Sequence, residues 1–394
     1  VSDTALLAVL LAAVAGVLAG RAWAAASRRE LAEGRGVRAS PHHTQGLHYL
    51  ATGQPELAIS ELSKVVREDP GAVEVQQVVG SLLRETGQVE RAIQVHQALL
   101  ARRDLPRAER THALASLGAD FRKAGFLDRA GAAFAEVLAL DPSNIHALAG
   151  TQKLHEEQRQ WKEAYALQTR LARLRKTDDS LVLGYLQAAL GQEAALAGRR
   201  EEAERAFRTA LSLDRRVFPA HLGLADLHAA GNPRLAAALL EEAMRVAPER
   251  AYLAFERLAR AYGACGEPAR FVALCEGIVR HDPRDWRARI ALARHLRGEG
   301  RAQESYGLLL RALEANPQVL VVHLEMGRTL RALGVKDPAF EDYMATAEES
   351  VFYRDPHICT ACRYRADDML WRCPHCHEWN TFVEERLGPA AEGR

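Results

Sequence analysis

Aromatic side chains make up only 6% of the 394 residues, and the formal charge is close to balanced, with 52 Lys and Arg against 51 Asp and Glu. Scarce aromatics argue against a core built on large rings and favour helices that pack through small residues. The balance of charge, +1 overall, gives no electrostatic reason to expect nucleic acid as a partner. Catalytic signatures are missing as well. There is no G-x-G-x-x-G, no phosphate-binding P-loop, no H-E-x-x-H and no nucleophile elbow. Histidines such as His96, His112, His155 and His221 lie without ligand spacing and read as structural. The composition therefore predicts a non-enzymatic chain whose partners must be argued from surfaces.

Cysteine is rare until the end of the chain. Cys265 and Cys275 fall in helical sequence and read as small buried apolar residues. The other four, Cys359, Cys362, Cys373 and Cys376, follow C-x2-C-x10-C-x2-C, a metal pattern and not a disulfide framework. Each pair can set two thiolates on one side of a tight turn, and two such turns complete a tetrahedral site. The expected cofactor is one ion, with zinc and iron both open. His357, His375 and His377 lie nearby, but four thiolates already fill the tetrahedron. Met369-Leu370-Trp371 reads as a strand into the second knuckle, and Trp371 and Trp379 as much of the small module's core.

Long hydrophobic runs are absent except at the start. Thr4 to Gly20 carries no charge, near the lower limit for crossing a bilayer as a helix. A cleaved signal peptide would open with positive charge. Here Arg21, Arg28, Arg29, Arg35 and Arg38 all follow the apolar run, so the reading is a retained anchor at residues 1–27 with the rest of the chain cytosolic.

What the chain has in abundance is a period. Small residues twelve apart recur in steps of thirty-four: Gly46 with Ala58, Gly80 with Ala92, then Gly118 with Ala130 after an insertion near Leu105-Pro106. Gly191 with Ala203, Ala225 with Ala237, Ala293 with Ser305 and Gly327 with Ala339 continue it. Such a period describes stacked helical hairpins that approach closely only where neither side chain is large. Asp69-Pro70, Asp141-Pro142, Asp282-Pro283 and Asn316-Pro317 should end second helices, because proline cannot donate the next amide. Gln152 and Phe271 stand where two repeats should have small residues.

These residues resemble the tetratricopeptide repeat consensus. The implied architecture is an all-α superhelical solenoid of about nine repeats at 39–350, after a transmembrane helix at 1–27 and a linker at 28–38. A rubredoxin-like, zinc-ribbon metal knuckle follows at 351–385, then a flexible tail at 386–394. Grooves of such solenoids generally bind peptides or protein surfaces.

The order of parts, with GLHYLATGQPELAISEL early and CTACRYRADDMLWRCPHCHEWNT late, is similar to the lipopolysaccharide assembly protein B family over nearly the whole chain. That resemblance implies a single-pass protein of the cell inner membrane with its repeats and metal domain on the cytoplasmic side. It implies an adaptor between the membrane AAA protease FtsH and the lipid A deacetylase LpxC, regulating lipopolysaccharide synthesis through proteolysis, in contact with other lipopolysaccharide-assembly membrane proteins. Self-association is left open. Cys359, Cys362, Cys373 and Cys376 correspond to the family's rubredoxin-like metal ligands, while Arg363 and His377 stand where simpler rubredoxins commonly have glycine. Two other readings compete: a general scaffold for envelope assembly without a proteolytic role, and an electron-transfer protein, for which no second redox motif is present.

Overall fold

The computed structural model describes residues 40–317, 319–349 and 357–384. The predicted anchor at 1–27, the linker at 28–38 and the tail at 386–394 lie outside the described residues. Among the described residues no helix is long and apolar enough to cross a membrane.

The chain divides into two compact units, Val1–Gln158 and Arg159–Arg394. The first holds helices α1 (Pro41–Ala51), α2 (Pro55–Glu68), α3 (Val73–Glu85), α4 (Val89–Leu100), α5 (Arg107–Lys123), α6 (Leu127–Leu140) and α7 (Ile145–Glu157). The second opens with α8 (Trp161–Arg175), α9 (Ser180–Leu196), α10 (Arg200–Leu213), α11 (Phe218–His228) and α12 (Pro233–Val246). After a 3-10 turn, Pro248–Leu253, come α13 (Phe255–Ala264), α14 (Pro268–His281), α15 (Trp286–Gly298), α16 (Ala302–Ala315), α17 (Leu320–Ala332) and α18 (Pro338–Glu349). The second unit also contains the cysteine-rich module, a three-stranded antiparallel sheet in the order β2 (Arg365–Ala366), β1 (His357–Cys359), β3 (Phe382–Glu384).

Helix boundaries follow the predicted punctuation. α2, α6, α14 and α16 are capped by Asp69, Asp141, Asp282 and Asn316, each directly before a proline. The tight turns inside the hairpins need a left-handed residue, and Gly87 at φ 82° and Gly125 at φ 80° supply it without a β-carbon to clash.

The small-residue period has a specific cause. Phe134 on α6 is 1% exposed and is wedged between Gly118 on α5 and Gly150 on α7. A β-carbon at Gly118 would lie 2.7 Å from the Phe134 ring, and one at Gly150 would lie 2.2 Å from it. In the second unit Phe207 on α10 is seated in the same way between Gly191 and Gly223. Each glycine is thus the seat of one buried side chain on the neighbouring helix, sixteen residues away in sequence.

Where the seated side chain is polar, charge compensation appears. His96 on α4 lies against Gly80 and is fully buried, with Nδ1 2.5 Å from Asp120 Oδ2. Asp120, also fully buried, accepts a second bond from Arg84 Nη1 at 2.8 Å. Three helices are tied together by this group, since removing either His96 or Arg84 would leave a buried carboxylate short of a partner. In the second unit Glu325 on α17 is buried beneath Arg294, Arg297 and Arg328. Burial pushes its carboxyl up, but hydrogen bonds and charge from Arg294 and Arg297 outweigh burial and hold it below the usual range.

The two irregular repeats are accommodated locally. Gln152 is buried on α7 and donates to Glu156 Oε1 at 2.6 Å. Phe271 is buried on α14, edge-on to His295. The segment before α13 is a 3-10 turn opened by Pro248, which shortens that first helix to ten residues and turns Arg250 and Tyr252 toward the cysteine-rich module.

Two glycines of one hairpin separate seat from spacer. Gly118→Ala should destabilise the first unit by about 1–3 kcal/mol through overpacking against Phe134. Gly131→Ala, whose β-carbon would meet only Leu154 at 3.9 Å, should stabilise it by about 0.5–1 kcal/mol through reduced backbone entropy. Denaturant unfolding of both variants checks the sign; equal shifts would remove the seating argument.

Candidate metal centre

Four sulfurs converge at the base of the small sheet. Those of Cys359 and Cys376 are 3.6 Å apart, as are those of Cys362 and Cys373, and all four lie within 4.8 Å of one another. A disulfide needs about 2.05 Å, so these are free thiols. An ion bound at about 2.3 Å from each sulfur requires tetrahedral edges of about 3.8 Å, which this cluster matches. The donor set and spacing therefore fit one four-coordinate zinc or iron ion. Such an ion would tie the two loops together as a structural crosslink, with no coordination position left open.

Two turns of the same design build the site. In each, the carbonyl of the leading cysteine accepts from the residue four positions on: Arg363 N to Cys359 O at 2.8 Å, and His377 N to Cys373 O at 3.0 Å. In each, the leading cysteine's own amide donates to the residue after that, Cys359 N to Tyr364 O and Cys373 N to Glu378 O. Closing such a turn requires a left-handed residue, and Arg363 at φ 63° and His377 at φ 61° adopt it although each carries a β-carbon. The two residues standing in place of glycine thus keep the glycine geometry, at about 1–2 kcal/mol each.

Thiolate formation is prepared at one corner. Burial pushes the Cys359 thiol up, but Thr381, whose Oγ1 is 3.2 Å from Cys359 Sγ, and the amides of Cys362 and Ala361 bring it down to about 6. Burial, with the hydrogen bonds of its cysteine neighbours, pushes Cys376 up to about 12. Cys275, which is not among the four clustered cysteines, is fully buried and also pushed up to about 12 by burial, in keeping with an inert apolar role.

Two expectations for the module are corrected. Met369-Leu370-Trp371 is not a strand; only an isolated bridge joins Arg372 to Trp379. Nor do Trp371 and Trp379 form the module's core, which consists of Cys359, Cys373 and Phe382 with Cys362, Cys376, Ala366, Met369 and Leu370 around them. So few residues enclose the sulfurs that the indoles have no interior to enter, and they pack outward on the helices.

That packing is extensive. Trp379 stacks on Tyr185 of α9 at 5.8 Å and meets Trp161 of α8 edge-on at 5.9 Å. Trp371 stacks on Phe218 of α11 at 5.9 Å, with Arg250 above its ring. The Tyr185 hydroxyl, fully buried, donates to Asn380 Oδ1 at 2.6 Å and accepts from Arg250 Nη1 at 3.3 Å. Burial pushes that hydroxyl above its usual range, so it stays a neutral donor. His357 is a docking residue and not a ligand: its Nδ1 faces the Asp367 carbonyl, so Nε2 accepts from the Tyr252 hydroxyl at 2.9 Å. Arg287 of α15 pairs with Glu384 of β3 and lies 4.1 Å over Trp286. His375, also not needed as a ligand, stacks on Tyr364.

Fold and site together define a helical-repeat protein that carries a rubredoxin-type metal domain docked on its own helices. The rubredoxin metal binding domain family matches residues 357–384. Lipopolysaccharide assembly protein B of Escherichia coli strain K12 is 24% identical over 349 residues, spanning 88% of this chain and 89% of that protein. Its namesake in Haemophilus influenzae strain Rd is 22% identical over 361 residues, spanning 87% and 89%. Among solved structures, a tetratricopeptide repeat protein from Parabacteroides merdae aligns over 73% of this chain and 97% of its own, at 15% identity and a TM-score of 0.27. The chain is thus similar to lipopolysaccharide assembly protein B over 88% of its length.

Cys373→Ser should abolish stoichiometric metal binding, because binding worth about 10–16 kcal/mol in comparable small sites replaces a core this module lacks. Tryptophan emission should move to the red as the indoles lose their cover, while far-ultraviolet dichroism stays helical. Unchanged metal content would refute the four-thiolate site.

Proposed function

We propose that this protein is a non-enzymatic scaffold in lipopolysaccharide assembly, and that it works by presenting the deacetylase LpxC to the membrane protease FtsH. The observation that carries the reading is the docked metal domain. A closed four-thiolate site leaves no position for a substrate, and its surroundings serve adhesion: two indoles, Tyr185, Tyr252 and Arg287 hold the module on the helices. The name shared by both relatives supports lipopolysaccharide assembly as the process. Location at the cell inner membrane, through residues 1–27 and with the helical units in the cytosol, belongs to the same proposal.

The docking also directs where partners bind. The helix faces around Tyr185, Phe218 and Tyr252 already hold the module, so protease and deacetylase should engage other surfaces. Proximity then does the work: holding two proteins near one membrane raises their mutual concentration without any bond-making step.

Loss of the protein should lengthen the lifetime of the deacetylase, and affinity capture from membranes should recover deacetylase and protease together. A chain lacking residues 1–27 should stay helical and fail to restore turnover. If deacetylase lifetime is unchanged by loss of the protein, the proteolytic role is wrong and a general envelope scaffold replaces it.

A further inference from the structure

A second polar site lies in the first unit. A cavity of about 830 Å³ opens between the start of α5, the end of α6 and the start of α7, lined in part by Arg107, Thr111, His112, Leu140, Asp141 and His146. His112 and His146 occupy equivalent positions thirty-four residues apart, and their ring centroids are 6.3 Å from each other. Neither imidazole makes a hydrogen bond among the described residues, whereas His96 and His221 are both held by partners. Both side chains are exposed, so their ring nitrogens are open to a ligand seated in this cavity.

The rest of the lining selects the ligand. Arg107 is anchored at the mouth by a bond from Nη2 to Leu140 O at 3.4 Å, leaving other guanidinium donors unused. Thr111 spends its hydroxyl on the carbonyl of Arg107. Asp141, the acidic residue of the lining, is occupied by bonds from Ser143 N, Ser143 Oγ and Asn144 Nδ2. Leu140 is 40% exposed beside the cavity and gives an apolar contact. We propose that Arg107, His112 and His146 form a binding site for the carboxylate of an acidic peptide segment, with Leu140 receiving an adjacent aliphatic side chain.

Charge and pH follow from the same geometry. Burial lowers the His112 imidazole below its usual value; His146, His96 and Arg84 add to that, and Glu109 opposes it. In the free protein His112 is therefore neutral near pH 7. A carboxylate beside His112 favours its charged form, so binding takes up a proton there and tightens as pH falls. Arg107 supplies a fixed positive charge at all relevant pH, and Asp141 is held in its ionised form by Ser143. A transition metal would be opposed by the fixed positive charge of Arg107. The site stands whether or not the partner is the deacetylase, because its test uses a synthetic probe.

The test is a histidine Cε1–H titration of the full chain with N-acetyl-Leu-Asp, its fully amidated analogue, inorganic phosphate and zinc. The free acid should shift the His112 and His146 signals, bind more tightly at about pH 6 than at about pH 8, and weaken about tenfold in Arg107→Ala or His146→Gln. His323→Ala, in the second unit, should leave binding unchanged. Both lining variants replace exposed residues, and dichroism confirms their folding. Equal response to the amide, response to phosphate or zinc but not to the free acid, or no shift of either signal would each overturn the carboxylate site.

Discussion

Everything distinctive in the second unit depends on one seam, where Trp371 and Trp379 leave a module too small to bury them and insert among Trp161, Tyr185 and Phe218. Aromatic burial of this kind is worth several kcal/mol, and the polar ends of the seam are satisfied by the bond from Tyr185 to Asn380 and that from Tyr252 to His357. The seam in turn depends on the sulfur cluster. Trp371 and Trp379 lie on the loop that carries Cys373 and Cys376, so a metal that fixes the knuckles also fixes the indoles.

This dependence gives the metal a mechanical role. A tetrahedral thiolate site with no open position orients two tight turns and thereby shapes an adhesive surface. The helices provide the complementary face partly through a local irregularity, the 3-10 turn at Pro248 that delivers Arg250 and Tyr252. A repeat that departs from the regular pattern is thus the place where a second element docks. The first unit, built on glycine seats at Gly118 and Gly150, presents a different chemistry at its inter-repeat cavity.

Much of this was legible in the amino-acid sequence, for physical reasons. A glycine recurring with the period marks a backbone approach that any β-carbon would block, so Gly80, Gly118 and Gly191 announce helix contacts. The cysteine spacing is equally local, since each C-x-x-C pair closes within its own turn, but that Arg363 and His377 keep the left-handed glycine conformation is visible only in the fold. The docking seam was not legible. Tyr185 and Asn380 are 195 residues apart, and no periodicity links them. The one signal was scarcity: of five tryptophans in the chain, Trp161, Trp371 and Trp379 all lie in the seam. Reading the two indoles as the module's interior failed because Phe382 and the sulfurs already fill it. His112 was likewise read as structural, because the neighbouring helix that brings His146 to it is visible only in the fold.

The central claim is that the metal holds the cysteine-rich module on the helices of the second unit. Amide hydrogen exchange of the full chain, loaded with metal and stripped by chelation, tests it most directly. The account predicts faster exchange after stripping in residues 180–196, in 218–228 and in the 3-10 turn at 248–253, while α2 to α6 of the first unit are unchanged. Exchange at those helices that is the same with and without metal, alongside a module that has lost its own protection, would contradict it.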